Sequence, residues 1–232
     1  MKKQLAIALI LVSTLHASGQ VPKVQNDPGY DYKLIHFGFM VGLNTMDFGF
    51  TRPAGVADSS NLYFADISRS KPGFQVSIVS DLRMGDYLSL RFLPGITFGA
   101  REFSFYKNDG SPPVQWTIES NFLDFPLLLK YKSNRVNNYR PYLVGGLNFR
   151  YDMAARKEFE QGGPQVRLIK PDFYVELGFG IDFFLQYFKF SPELKVSAGF
   201  RDALVHDPAG GDFTNSIDRL NSYLVMLCFY FE

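Results

Sequence analysis

Between residues 172 and 185 the chain alternates with a period of two. Phe173, Val175, Leu177, Phe179, Ile181, Phe183 and Leu185 are apolar, while Asp172, Tyr174, Glu176, Gly178, Gly180, Asp182 and Phe184 are mostly acidic, glycine or aromatic. That is a strand with two unlike faces. On a soluble sandwich the wet face would carry Thr, Lys, Gln and Ser more than bare glycine. An acidic, glycine-pinched face suits a narrow lumen, and the unbroken apolar face is long enough to cross a bilayer at a tilt.

The same pattern recurs along the chain, and it predicts strands over 35–47, 73–83, 87–101, 118–132, 139–153, 172–185, 188–201 and 220–231. Long polar connections over 49–72, 102–117, 154–170 and 202–219 alternate with short ones at Gly85-Asp86, 133–138 and Gln186-Tyr187. Short turns on one side and long loops on the other fit an outer-membrane barrel with its short turns periplasmic. The predicted class is all-β, an eight-stranded antiparallel up-and-down transmembrane barrel. A soluble lipocalin-like barrel also meanders, but with its apolar face inside. The number of aromatic side chains, and a polar face rich in glycine and in both signs of charge, favour the membrane barrel.

Composition bounds this picture without changing it. The chain has 232 residues, 46% of them hydrophobic and 16% aromatic, which suits one small barrel. Mean hydropathy of −0.07 excludes several helical spans but is ordinary for alternating strands. A net charge of +1 offers no basic surface for nucleic acid. Met1-Lys2-Lys3, an apolar run over 5–15 and the small residues Ala17-Ser18-Gly19 describe a signal peptide over 1–19. The expected organisation is that segment, a flexible periplasmic lead-in over 20–34 and the barrel over 35–232, with both termini of the mature chain periplasmic. The single cysteine, Cys228, excludes a disulfide framework and reads as a small packed side chain.

The inward positions collect Asp81, Arg83, Arg91, Arg101, Asp124, Lys130, Arg150, Asp152, Glu176, Asp182, Glu193, Lys195 and Arg201, nearly balanced in sign. A lumen this narrow is filled by side chains, and buried charges persist there only when paired. The balance therefore predicts a salt-bridged plug and a closed barrel, not a pore. Pro94 and Pro126 fall mid-strand in neighbouring strands, at what should be similar heights. They mark a bulge or a candidate seam where another protein could dock.

Catalytic chemistry finds little footing. Of the histidines, His16 lies in the signal segment, while His36 and His206 belong to opposite ends of the barrel and cannot share a site. His206-Asp207 near Ser197 or Ser216 is the only arrangement that would suit an interfacial lipid-modifying enzyme. No metal-ligand spacing and no phosphate-binding glycine loop occurs, so no cofactor is expected.

Several segments carry a resemblance: Tyr30-Asp31-Tyr32-Lys33 before Ile35-His36-Phe37-Gly38, Leu90-Arg91-Phe92-Leu93-Pro94-Gly95, Leu123-Asp124-Phe125-Pro126-Leu127-Leu128-Leu129-Lys130-Tyr131, Arg140-Pro141-Tyr142, Phe190-Ser191-Pro192-Glu193-Leu194-Lys195 and Tyr230-Phe231-Glu232. Together they resemble the PorT family of Bacteroidota outer-membrane barrels. The resemblance implies a non-enzymatic component of the type IX secretion system, which exports proteins bearing C-terminal sorting domains and in gliding relatives delivers adhesins to the surface. It also implies partners: outer-membrane lipids, other secretion components and, through the aromatic last strand, the barrel insertion machinery. A closed barrel cannot conduct folded cargo, so the implied role is accessory, assembly or docking. The alternative is a generic structural or adhesion barrel of the OmpX type.

Overall fold

The computed structural model describes the backbone of residues 25–51, 63–107, 114–153, 171–200 and 219–232. The signal segment, His16, Arg201, His206, Ser216 and most of the long connections lie outside the described residues. The side chain of Arg101 does as well.

Ten extended segments form one antiparallel sheet that closes on itself. They are β1 (Ile35–Thr51), β2 (Tyr63–Ser70), β3 (Pro72–Arg83), β4 (Leu88–Phe92), β5 (Gly95–Lys107), β6 (Val114–Lys132), β7 (Tyr139–Asp152), β8 (Pro171–Phe184), β9 (Lys189–Gly199) and β10 (Arg219–Phe231). Closure comes from β1, which pairs with β10 on one side and with β3 on the other. β2 continues into β3 across Lys71, since both pair with β5. β4 and β5 are likewise one strand interrupted at Leu93-Pro94, both of them pairing with β6. The ten segments therefore make an eight-stranded barrel, and closure leaves no sheet edge inside a bilayer. Among the described residues no helix is long and apolar enough to span a membrane.

Three expectations need correction. The connections expected over 49–72 and 102–117 are both shorter, because β1 runs on to Thr51, residues 63–70 are paired strand, β5 runs on to Lys107 and β6 starts at Val114. Backbone pairing here extends past the stretch where the alternation is clean, since a hairpin needs only hydrogen-bond partners once its apolar part has set the register. The lead-in expected to be flexible up to residue 34 instead carries a 3-10 turn, Tyr30–Tyr32, docked on the barrel, with Tyr30 buried.

The two faces are sorted as the alternation demands. Phe37 is 69% exposed and Leu177 58%, as are their neighbours on an apolar outer belt, whereas Arg150, Glu176 and Lys195 are fully buried inside. Cross-strand aromatic pairs such as Phe39 with Phe231 and Phe74 with Phe98 stack on the outer face and reinforce the register. The lumen also holds apolar residues, among them Met40, Val79, Leu128 and Cys228.

Pro94 and Pro126 do lie at one level. The Leu93 N–H donates to the Pro126 carbonyl at 3.1 Å, and the Ile78 N–H donates to the Pro94 carbonyl at 2.9 Å. Proline has no N–H to give, so the interruption between β4 and β5 keeps its remaining backbone groups bonded. Gly95 follows because a Cβ there would collide with the Val76 carbonyl and the Ser77 side chain.

Candidate functional site

Antiparallel register sets the first layer of lumen contacts. Arg150 stands opposite Asp124, Arg91 opposite Asp81 and Arg140 opposite Asp182. Each of these pairs closes as an ion pair, at 2.7, 3.1 and 3.6 Å respectively. Charge-assisted contacts of this kind are what make a buried ion tolerable.

Two clusters result. In the first, nearer the long connections, Arg150 joins Asp124 to Glu176 at 3.1 Å, and Lys195 meets Glu176 at 2.8 Å. The Asn148 side-chain amide donates to Glu176 at 2.7 Å, the Thr97 hydroxyl donates to Asp124, and Arg150 lies 4.4 Å from the Tyr174 ring centre. Every member comes from the barrel wall.

The second cluster fills the short-turn end. Arg91 reaches Asp81, Glu193 at 3.4 Å and Glu232 at 3.4 Å. The hydroxyls of Tyr142 and Tyr230 donate to Glu193 at 2.9 and 2.8 Å, and both rings lie beneath the Arg91 guanidinium. Lys130 pairs with Asp182 at 2.8 Å over the Tyr142 ring, and the Ser191 hydroxyl also donates to Asp182. Here the wall alone is not sufficient. Glu232, the last residue of the chain, accepts from Lys189 at 2.7 Å and from the Tyr30 hydroxyl at 2.7 Å, and Lys189 also touches that hydroxyl.

The N-terminal segment is fixed over this end by several bonds. The Asn26 N–H donates to Asn138 at 2.9 Å, Arg135 donates to the Asn26 carbonyl, and Arg140 pairs with Asp31 at 2.8 Å. The Tyr30 ring stacks on His36 at 3.8 Å, and His36 Nε2 donates to the Tyr30 carbonyl. Asn137 takes φ 54° in the turn that presents Asn138, a conformation asparagine tolerates better than most residues. Burial, and next the Glu232 charge, push the Tyr30 hydroxyl well above its ordinary pKa. At Asp31, partial burial acts upward, but the hydrogen bond and charge of Arg140 outweigh it and hold the carboxyl below its ordinary value.

Of the predicted inward charges, Asp81, Arg91, Asp124, Lys130, Arg150, Asp152, Glu176, Asp182, Glu193 and Lys195 are all buried in the lumen. Arg83 sits at the rim, paired with Asp86 at 2.6 Å. Arg101 belongs to the paired backbone of β5. The inward charge list also missed members. Lys132, Arg140, Asp172 and Lys189 continue the period-two phase of their strands and were readable there. Glu232 also continues the phase of Met226, Cys228 and Tyr230 one residue past β10, its backbone still pairing with Lys189, whereas Tyr30 carries no such signal, since it lies in no strand. Among the described residues no group of His, Cys, Asp and Glu is arranged to hold a metal ion.

A family model described as "Outer membrane protein beta-barrel domain" matches residues 24–205. No curated protein matches in sequence. Among solved structures, OprG from Pseudomonas aeruginosa is similar at 13% identity, covering 84% of this chain and 91% of that one, with a TM-score of 0.47. Neisserial surface protein A gives 12% identity, 85% and 98% coverage and a TM-score of 0.42. Ail of Yersinia pestis, solved with a heparin analogue, gives 11% identity, 84% and 97% coverage and a TM-score of 0.38.

Proposed function

Because the chain belongs to the outer-membrane-protein β-barrel family, we propose that it is a non-enzymatic outer-membrane component of the type IX secretion system, needed for export of proteins with C-terminal sorting domains. The observation that carries the accessory, assembly or docking part of this reading is the packed lumen. Arg91, Arg150, Glu176 and Lys195 are fully buried and ion-paired inside the bore, and the Arg91–Glu193 pair spans it from β4 to β9. Moving cargo through it would break these pairs and strand their charges in a low-dielectric interior, so cargo takes another route. The secretion assignment itself is supported by the PorT-like segments, among them Leu123–Tyr131 and Phe190–Lys195.

In this reading both ends of the mature chain and the short turns face the periplasm. The Asn26–Tyr32 segment closes the barrel on that side. Other secretion components dock on the barrel; Pro126 itself is buried on the inward phase of β6, so crosslinks to them are expected at its outward neighbours Phe125 and Leu127. The deciding experiment deletes the gene and compares secreted proteins bearing C-terminal sorting domains, with membrane integrity as control. Their accumulation in the periplasm of intact cells supports the proposal. Their normal appearance at the surface hands the protein to the generic structural or adhesion reading.

A further inference from the structure

The two faces of the wall exchange character at the long-connection end. Up to Leu43 on β1 and Leu123 on β6 the outer phase is apolar, and the inner phase carries polar groups such as Asn44 and Asp124. Beyond that level the assignment reverses. Met46, Phe122 and Leu224 are buried on the inner phase, while Asp47 is exposed on the outer one. Pairing then runs on in unbroken register, from Met46 opposite Leu224 to Phe50 opposite Leu220 between β1 and β10, and from Thr97 opposite Phe122 to Phe105 opposite Val114 between β5 and β6. Unbroken register preserves alternation. Phe48 and Phe50 therefore share the face of Met46, and Phe103, Phe105, Trp116 and Ile118 share the face of Thr97 and Phe122. The opposite face of the same strands takes Thr51, Arg219, Glu102, Ser104, Thr117 and Glu119.

This is the sorting of a soluble lipocalin-like barrel, with its polar side to water and its apolar side inward. The raised wall stands on a closed floor, since the Arg150 guanidinium lies 5.8 Å from the Phe122 ring centre and the charge cluster fills the bore beneath. Charges flank the apolar face at its borders. Lys71 and Arg101 stand at the foot, where the wall also carries the buried acids Asp152 and Asp172, and Lys107 ends β5 at the tip. The connections that join the raised strands offer little to cover so much apolar surface: 108–113 is Asn-Asp-Gly-Ser-Pro-Pro, and 52–62 has Val56 and Leu62 as its large apolar residues. An eight-stranded barrel has room for one small ligand and is too narrow for a helix with its side chains. Ligand sites in barrel mouths are lined mainly by apolar and aromatic residues.

We propose that the inner face of this raised wall, formed by β1, β5, β6 and β10 with β2 joining through Ile67 opposite Phe103, is a binding site for one small uncharged apolar molecule, such as a single alkyl chain, entering from the long-connection side. The Arg150 cluster closes the bore beneath it, so the site holds its ligand and does not pass it through. The inference does not rest on the secretion role.

Trp116 is the single tryptophan of the chain and serves as the reporter. The full mature chain in phosphatidylcholine nanodiscs is titrated with 1-bromohexane, whose bromine quenches indole emission on contact. Quenching of Trp116 should saturate, and unbrominated hexane should reverse it. Phe103→Glu, which puts a charge on the inner face, should weaken binding by about tenfold or more, while Thr117→Glu on the outer face of β6 stays within about threefold of the parent. Migration of the folded barrel on unheated gels checks each variant; should Phe103→Glu not fold, Phe50→Ser replaces it, with a loss of about threefold expected. Phosphatidylcholine brominated on its acyl chains separates the site from the bilayer, and should leave Trp116 emission unchanged because Trp116 lies past the apolar outer belt. Strong quenching by that lipid overturns the proposal, as does equal binding of 1-bromohexane by the parent and a folded Phe103→Glu variant. Quenching that is absent or rises without saturation also overturns it, and leaves the connections over 154–170 and 201–218 as the cover of this face.

Discussion

The two charge clusters of the lumen are built from the same kinds of residue but held in different ways. Around Arg150 every partner comes from the wall, so closing the barrel assembles the cluster. Around Glu232 the wall supplies Arg91 and Lys189, but the set is completed only when the last residue and Tyr30 are in place. The first cluster is a consequence of register, and the second is a consequence of the chain's ends being brought together. The wall cluster should therefore behave as part of the fold, and the turn-end cluster as a latch that can be released separately.

The largest effect is expected where no latch exists. Arg150→Leu leaves Asp124 and Glu176 short of their shared cation, and should lower stability by about 3–5 kcal/mol, read from the urea midpoint of the barrel folded in vesicles. Should the midpoint hardly move, the wall cluster is not the fixture described here. Glu232→Gln removes the charge that Lys189 and Arg91 share, and about 2–3 kcal/mol is expected. That loss should come with faster amide exchange over residues 26–33. Exchange unchanged in this variant would show that the N-terminal segment is held by other bonds.

Tyr30→Phe is milder, since it deletes one hydroxyl and keeps the ring on His36. A loss of about 1 kcal/mol is expected, with the barrel's own exchange pattern unaltered. The smallest effect belongs to pH. Because Asp31 has a depressed pKa, its contribution is present above the unfolded carboxylate value of about 4 and fades as pH falls through the lower folded value. Asp31 is partly exposed, so solvent screening keeps the effect small. Protection of the Tyr30–Lys33 amides should thus persist from pH 7 to about 5 and decline below about 4. Asp31→Asn should abolish that pH dependence; a decline that survives the substitution assigns it to another group.

Alternation alone determined the closed meander, because a bilayer-facing strand must keep one face apolar at every second residue. It placed Asp124, Arg150, Glu176 and Lys195 inside, and the near balance of inward charges already implied pairing and a filled bore. Even the level of Pro94 with Pro126 followed from counting along neighbouring strands. Tertiary structure alone decided which acid meets which base, since a two-residue slip preserves the faces but changes every partner. It also decided that β1 and β2 reach beyond the apolar stretch, where the alternation gives no guide. Above all it decided the fate of the ends. Tyr30 and Glu232 are 202 residues apart, and no local pattern relates them. Only a barrel that returns its last strand to its first brings the two to the same rim.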